Sequence, residues 1–358
     1  MTTELRTTAP PPELLLGRAE FAGDLRQAVE ALRSRRVLIT GAAGSLGWPL
    51  STLVAGSMPA ALVLVDHHEH SLYSLERTLS SAGTYELADV RDTARMRRIF
   101  DQYRPEVVVH LAAAKHVPYG ERFPEGTVAA NVLATNVLLD LAATCAVDAF
   151  VYPSSDKSVR PPSVYGATKR IAEGLVAATA AHSRGRFGIV RFVNIIGTRG
   201  SVIENFSKWV QEDFPLRVTD ERMTRYWISM NEALWCVLMA ITCVRGGQVV
   251  MPACGEPVPL LQTARRLAGW YRPDKDPYPI ECVGIRPGER LHEVLLSDNE
   301  SFDEVNEPAA GLRRVETRRD AGVLSDLPDL ISKLETLVAD GARQEVAARC
   351  LEAAEALQ

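Results

Sequence analysis

A basic excess is the first thing this chain lacks. Forty Lys and Arg stand against 45 Asp and Glu, giving a net charge of -5 and a pI near 5.9. No cationic surplus is left to neutralise a nucleic-acid backbone or an anionic membrane face. Aromatic residues are few, at 6%, but 46% hydrophobic and 24% charged residues make a globular composition rather than a fibrous or disordered one. The 358 residues suffice for one large domain or two. Six cysteines (Cys145, Cys236, Cys243, Cys254, Cys282, Cys350) are scattered without a C-x-x-C or zinc-like spacing, which excludes a disulfide framework and predicts mostly small buried hydrophobes. The longest apolar stretch, Ala233 to Val244, falls short of the ~18 residues of a membrane span. The N-terminus has no basic region followed by an apolar one. These absences predict a cytoplasmic protein without nucleic-acid or membrane partners.

What is present is a strong alternation. After a head ending in Pro10-Pro11-Pro12 and a helical lead-in over 13–35, short apolar runs recur at 36–40, 61–65, 85–90, 107–114, 149–155 and 188–196, separated by amphipathic stretches of helical length. Near-continuous apolar strands imply burial on both faces, and helices between them supply the crossovers parallel strands require. The fold class is α/β, a doubly wound parallel sheet of Rossmann type. Beyond Gly197 the rhythm loosens, with a helix expected over 231–244 and a strand over 248–251. The division expected is an N-terminal extension at 1–35, a nucleotide-binding domain at 36–196 and 228–255, and a smaller interleaved domain at 197–227 and 256–358.

The first strand runs into Gly41-Ala42-Ala43-Gly44-Ser45-Leu46-Gly47. Glycines there permit a tight turn and close approach of backbone to a pyrophosphate, which the N-terminus of the next helix stabilises. Asp66 closes the second strand, the place of the carboxylate that meets adenosine ribose hydroxyls about 20 residues after such a loop. A carboxylate there repels a 2'-phosphate, and His67 and His68 compensate less well than arginine, so NAD is favoured over NADP. Asp89 and Val90 end the third strand, beside adenine; a helix cap is the other reading of Asp89. The His67-His68-Glu69-His70 cluster has metal-ligating chemistry but no second cluster to complete it, so a solvated turn is expected and no metal site is assigned.

Tyr165 and Lys169 stand four residues apart on a predicted helix, so they share a face. An ammonium near a phenol favours phenolate, turning a group of pKa ≈ 10 into a base usable near neutrality. Upstream lies Ser154-Ser155-Asp156-Lys157 at the end of a strand. These motifs, with ELLLGR at 13–18, LVLVDHHEHSLYSLE at 62–76, DVRD at 89–92, HLAAAKHVP at 110–118, GTRGSVI at 197–203, MTRYW at 223–227 and GIRPGERLHEVLLS at 284–297, resemble the extended short-chain dehydrogenases/reductases, specifically the nucleotide-sugar 4,6-dehydratases that act on UDP-N-acetylglucosamine. The resemblance covers nearly the whole chain.

It implies that Tyr165, assisted by Lys169, takes the proton of the sugar 4-hydroxyl while hydride leaves C4 for the nicotinamide. Lys157 then abstracts the C5 proton as Asp156 protonates the departing 6-hydroxyl, and hydride returns to C6. Ser155 stands in the family's threonine position and hydrogen-bonds substrate. Ala112, Ala113 and Ala114 join Gly41, Ala43, Gly44, Ser45, Leu46, Gly47, Asp66, Asp89, Val90, Tyr165 and Lys169 around the cofactor. Lys115, His116, Asn194, Arg199, Ser201, Arg225, Arg286 and Glu289 are implied to contact the UDP-sugar, and a homo-oligomer is the family's expectation. Tyr165 replaces the methionine typical of the large membrane-anchored members. Tyr119 to Phe123, and Ala130 before Asn131, depart from the usual pattern near the sugar pocket. A 4-epimerase, a 5,6-dehydratase and a non-catalytic cofactor-binding scaffold are the competing readings; Asp156 and Lys157 argue against the epimerase, which needs neither an acid at C6 nor a base at C5.

Overall fold

The computed structural model describes residues 8–303, 309–317 and 321–358, so the first seven residues of the expected head lie outside the described residues. Nine strands form one sheet: β1 (Arg36–Thr40), β2 (Ala61–Asp66), β3 (Thr84–Leu87), β4 (Val107–His110), β5 (Ala149–Ser155), β6 (Arg186–Phe192), β7 (Gln248–Pro252), β8 (Glu300–Phe302) and β9 (Leu312–Thr317), ordered β8-β9-β7-β6-β5-β4-β1-β2-β3. All neighbours are parallel except β9, which is antiparallel to both β7 and β8. Alternate residues go to opposite faces, as the two-residue period of a strand dictates. Leu38, Val63, Val108, Phe150 and Ile189 enter one core, whereas Val37, Ile39, Leu62, Leu64, Val109 and Val151 enter the other.

The helices, in chain order, are α1 (Pro12–Leu16), α2 (Leu25–Val29), α3 (Gly47–Gly56), α4 (Glu69–Leu79), α5 (Thr93–Tyr103), α6 (Val117–Arg122), α7 (Pro124–Val128), α8 (Ala134–Thr144), α9 (Val164–His182), α10 (Val202–Gln211), α11 (Met230–Cys243), α12 (Leu260–Tyr271), α13 (Ala321–Ser325), α14 (Leu327–Ala339) and α15 (Arg343–Ala356). α5, α8, α9, α14 and α15 cover one face of the sheet, and α2, α3 and α11 cover the other. A third core, around Leu15, Phe206, Trp227 and Leu267, joins α1, α10 and α12 in a smaller lobe.

Several expectations change. The lead-in is not one helix: Gly17, at φ 72, ends α1, and Asp24 starts α2 by accepting from the amides of Arg26 (2.9 Å) and Gln27 (3.3 Å). Between them Arg18 turns inward onto the fully buried Glu232, which caps α11. The expected strands at 85–90 and 107–114 stop at Leu87 and His110, and Asn194–Ile195 leaves the main sheet to pair with Trp227–Ile228. The segment 256–358 divides: α12 belongs to the small lobe, but β8, β9, α14 and α15 complete the large sheet and its helical layer. Pro124–Thr144 forms a run through α7, a π-helical turn at Ala129–Leu133 and α8. It alone among the described residues is long and apolar enough to cross a bilayer, and more than half of its apolar window is buried inside the protein. Its scattered Thr and Asn hide it from a search for unbroken apolar sequence. Cys236, Cys254 and Cys350 are buried, whereas Cys282 is exposed.

Under the site lies a closed set of four charges. Arg191 of β6 bonds Glu173 of α9 (2.7 Å) and Glu300 of β8 (2.9 Å), and Arg170 of α9 bonds both carboxylates as well. None of these four is more than 3% exposed at its side chain. Removing one member leaves charge buried without compensation. Arg191→Met is therefore expected to lower stability by about 3–5 kcal/mol, read as a lower urea midpoint at unchanged slope.

Candidate active site

Strand order reverses between β1 and β4, and a cavity of about 760 Å³ opens at their C-terminal ends. Its floor is the 41–47 loop. Gly41 has φ 66, and a Cβ there would stand 2.7 Å from the amide nitrogen of Ala112; a Cβ on Gly47 would stand 2.1 Å from the carbonyl oxygen of Gly41. Only glycine fits either place. The N-terminus of α3 has no side-chain cap, so its first amides are not engaged by a capping side chain. The buried Asp66 carboxylate holds the loop from below, accepting from Ala43 N (3.0 Å) and His68 N (2.9 Å). Each oxygen keeps a further lone pair for a ribose hydroxyl. Asp89, Val90, Ala112, Ala113 and Ala114 line the same groove with Ser45 and Leu46. Glycine cradle, uncapped helix start and ribose carboxylate together fit a dinucleotide.

Asp89 is not a helix cap. It accepts from Arg91 N (2.9 Å) and from the Arg91 guanidinium, whose hydrogen bond holds the carboxyl below its usual range; Asp92 caps α5. His68 caps α4 by accepting from Ser71 N (3.2 Å), and among the described residues no three His, Cys, Asp or Glu side chains converge on a metal position.

The catalytic candidates lie beside this groove, where β5 ends and α9 begins. Asp156 is 1% exposed. Its Oδ1 accepts from Ser155 Oγ (2.9 Å) and Lys157 Nζ (3.0 Å), while Oδ2 has no partner among the described residues. Lys157 also meets Glu293 Oε1 at 3.2 Å. Burial disfavours its ammonium, but the two carboxylates outweigh burial and hold Lys157 above its ordinary range. Burial raises the Tyr165 phenol, opposed by the Lys157 charge and the Ser155 hydroxyl.

Lys169 sits differently from the sequence expectation. Its Nζ donates to the Pro153 carbonyl (2.9 Å) and lies 4.6 Å from the Tyr152 ring centroid, and burial lowers its pKa to about 7. The ammonium acting on the phenol is that of Lys157. The i,i+4 spacing puts Tyr165 and Lys169 on one face, but the carbonyl at the end of β5 captures the longer side chain.

The UDP-sugar residues separate into three groups. Lys115, His116 and Arg199 line the same groove as the 41–47 loop. The Arg199 guanidinium donates to the Ala43 carbonyl of the glycine loop and to Ser71 Oγ, its amide donates to Ser45 Oγ (3.0 Å), and its carbonyl accepts from Lys115 Nζ (2.6 Å). Arg199 thus straps the loop. Asn194, Ser201 and Arg225 are engaged internally: Asn194 Nδ2 donates to the Tyr226 carbonyl (3.2 Å), Ser201 caps α10, and the buried Arg225 donates to the carbonyls of Thr224, Arg290 and Leu291. Arg286 and Glu289 stand in a turn whose Gly288 packs towards Ser163 and Val117, at the rim.

Sequence reasoning missed three supports. Asn131, in the π-helical turn, accepts from Ala114 N (2.8 Å) and donates to Ala114 O (2.9 Å) and Thr168 Oγ1 (3.0 Å), tying the groove wall to the Tyr165 helix. His110 is pinned between Thr40 Oγ1 (2.7 Å) and Thr135 Oγ1 (3.0 Å), and burial pushes its pKa down to about 3; since Thr135 donates onward to the Asn131 carbonyl (2.8 Å), Nε2 carries the proton. Glu293 is the third. Its signal was a carboxylate alone among Leu291, Val294, Leu295 and Leu296, a setting in which a charge needs a partner.

Residues 37–312 match a family described as polysaccharide biosynthesis protein. The probable polysaccharide biosynthesis protein EpsC of Bacillus subtilis is 37% identical over 294 residues, covering 80% of this chain and 49% of its own length. A UDP-N-acetylglucosamine 4,6-dehydratase (inverting) of Campylobacter jejuni is 30% identical over 273 residues, 75% of this chain and 79% of that one. Among solved structures, Pen from Bacillus thuringiensis superposes with a TM-score of 0.72 at 26% identity, covering 79% of this chain and 89% of that one. The chain spans about half the length of EpsC and of the Staphylococcus aureus capsular protein CapD.

Proposed function

The chain belongs to the polysaccharide biosynthesis protein family, among the nucleotide-sugar dehydratases of the short-chain dehydrogenase/reductase superfamily, and from that membership we propose that it dehydrates a UDP-hexose, UDP-N-acetylglucosamine before others, to a UDP-4-keto-6-deoxy-hexose with NAD as cofactor. The observation that carries this reading is the Asp156–Lys157 pair beside Tyr165, with one buried Asp156 oxygen unpartnered among the described residues. An acid and a base side by side serve an elimination; a 4-epimerase has no use for them.

The 41–47 loop and the start of α3 would hold the cofactor's pyrophosphate, Asp66 its adenosine ribose, and Asp89 with Val90 its adenine. NAD bound there supplies a two-electron acceptor and donor. Tyr165 takes the proton of the 4-hydroxyl, with the Lys157 charge and Ser155 hydroxyl favouring the phenolate. Once C4 is a ketone the neighbouring C5–H is acidic. Lys157 passes its ammonium proton to Asp156, 3.0 Å away; the free amine then removes the C5 proton, and Asp156 gives the proton it received to the departing 6-oxygen, which leaves as water. The small lobe around Phe206 and Leu267 is assigned to the nucleotide end of the substrate.

A panel of UDP-N-acetylglucosamine, UDP-glucose and UDP-N-acetylgalactosamine, followed by mass spectrometry and by proton NMR in deuterated water, tests the reading. A product lighter by one water is expected, with deuterium at C5. Unchanged mass with an inverted C4 would establish the epimerase instead.

Because Arg199 bonds the glycine loop, Arg199→Ala is expected to lose bound cofactor. The cofactor released on denaturing the purified protein should fall about 10-fold, the effect of about 1.4 kcal/mol, while the KM for the UDP-sugar stays near wild type. A changed KM with full cofactor content would return Arg199 to the sugar side.

A further inference from the structure

Building on the dehydratase reading, we infer that Gln358 is a positioning residue for the elimination: its side-chain amide grips the turn after Lys157 and so fixes Asp156 and Lys157 against Tyr165. The contact joins groups 198 positions apart in sequence. Gln358 Oε1 accepts from Arg160 N (2.9 Å), while Nε2 donates to the Ser158 carbonyl (3.3 Å) and to the Ala354 carbonyl of its own helix, α15 (3.2 Å). A primary amide offers an acceptor oxygen beside donor hydrogens, so one side chain meets both a backbone N–H and a backbone C=O of the turn.

The turn has little within itself to hold it. Asp156–Ser158 is a single 3-10 turn, closed by Val159 N donating to the Asp156 carbonyl (3.1 Å). Arg160 then stands at φ 43, in the left-handed region although it is not glycine, and Pro161 and Pro162 follow without amide hydrogens. Such a backbone persists only where its surroundings over-determine it. Ser158 Oγ donates to Glu173 Oε1 (2.7 Å), Arg290 donates to the carbonyls of Val159 and Arg160, and Gln358 takes the Arg160 amide and the Ser158 carbonyl. The turn also cannot shift alone. A Cβ on Gly166 would stand 2.1 Å from the Lys157 carbonyl oxygen, so the Lys157 backbone lies directly against the residue after Tyr165. Displacing the turn therefore displaces the C5 base relative to the 4-hydroxyl base.

Gln358 is itself anchored. Arg170 of α9 donates to the Leu357 carbonyl (3.0 and 2.7 Å) and to the Gln358 backbone oxygen (3.2 Å), while also bonding Glu173 (3.2 Å) and Glu300 (2.7 Å). Leu357 packs on Gly174, where a Cβ would stand 3.2 Å from a Leu357 methyl. The four buried charges, the end of α15 and the turn after Lys157 thus make one connected frame. Gln358 is the link in it whose side chain carries neither charge nor apolar packing, so its amide can be removed without emptying the core. It acts on the reaction only through Lys157 and Asp156.

The test uses the full chain with bound NAD, wild type against Q358M and V346A. Q358M keeps the length of the side chain but neither hydrogen bond; V346A removes methyl groups from a fully buried position of α15 and leaves Gln358 in place. Amide hydrogen exchange over 158–163, read by mass spectrometry, needs no substrate. It should quicken about 10-fold in Q358M, the scale of one hydrogen bond lost. In single turnover with UDP-N-acetylglucosamine, Q358M should form reduced nicotinamide at a near-normal rate while water loss slows about 10-fold, less than the about 100-fold that a misplacement of about 1 Å costs. In the steady state kcat should fall with it and KM stay near wild type. V346A should melt lower yet keep the wild-type exchange over 158–163 and the wild-type ratio of oxidation to water loss. Unchanged exchange or an unchanged ratio in Q358M would overturn the inference, as would a V346A protein whose ratio moves as far as that of Q358M. Wild-type protein that yields no dehydrated product from any of the three UDP-hexoses would overturn the dehydratase reading instead, and quickened exchange in Q358M would still support Gln358 as the group that holds the turn.

Discussion

Tyr165→Phe is expected to stop the reaction before it begins. The ring is only 9% exposed and its packing survives the substitution, so fold and cofactor content should stay near wild type. What disappears is the oxygen that receives the 4-hydroxyl proton. Loss of a positioned base costs typically 10²–10⁴-fold, and reduced-nicotinamide absorbance after adding UDP-N-acetylglucosamine should grow slower by about that factor. Normal growth of the signal would take Tyr165 out of the mechanism. Because Lys157 rather than Lys169 acts electrostatically on the phenol, the residual rate should respond more to changes at position 157 than at 169.

Lys157→Met is expected to separate the half-reactions. The first electron transfer should proceed, since Tyr165 remains, but C5 keeps its proton and no water leaves. Reduced nicotinamide should accumulate with substrate mass lower by one hydrogen pair rather than one water. Dehydration at more than about a hundredth of the wild-type rate would reassign the C5 base. The variant also leaves Asp156 and Glu293 without the cation they share. Removing one partner of a buried ion pair is destabilising. The melting temperature of Lys157→Met should therefore fall below that of wild type.

The sheet was readable because parallel strands buried on both faces have a distinctive run of β-branched residues, and the groove was readable because glycine at 41 and 47 answers a local backbone demand. Where sequence reasoning failed, long-range contacts decided. Gly17 broke the lead-in helix, and Arg18 found its partner more than 200 residues away at Glu232. The Arg225 guanidinium, chemically apt for a diphosphate, met three backbone carbonyls instead. Lys169 shares a face with Tyr165, yet spacing could not say that the Pro153 carbonyl would take its ammonium. Glu293 was in view within a recognised motif, but its meaning depended on a lysine 136 positions earlier whose proximity only the fold reveals.

The late strand and helices beneath the reaction centre bear on how the protein is made. The groove is built largely from residues 41–130 together with the strap at 195–200. Glu293, Glu300 and the α14–α15 pair that backs α9 come later in the chain. A growing polypeptide can thus outline the groove before it has made the carboxylate that meets Lys157 and the helical layer that backs α9.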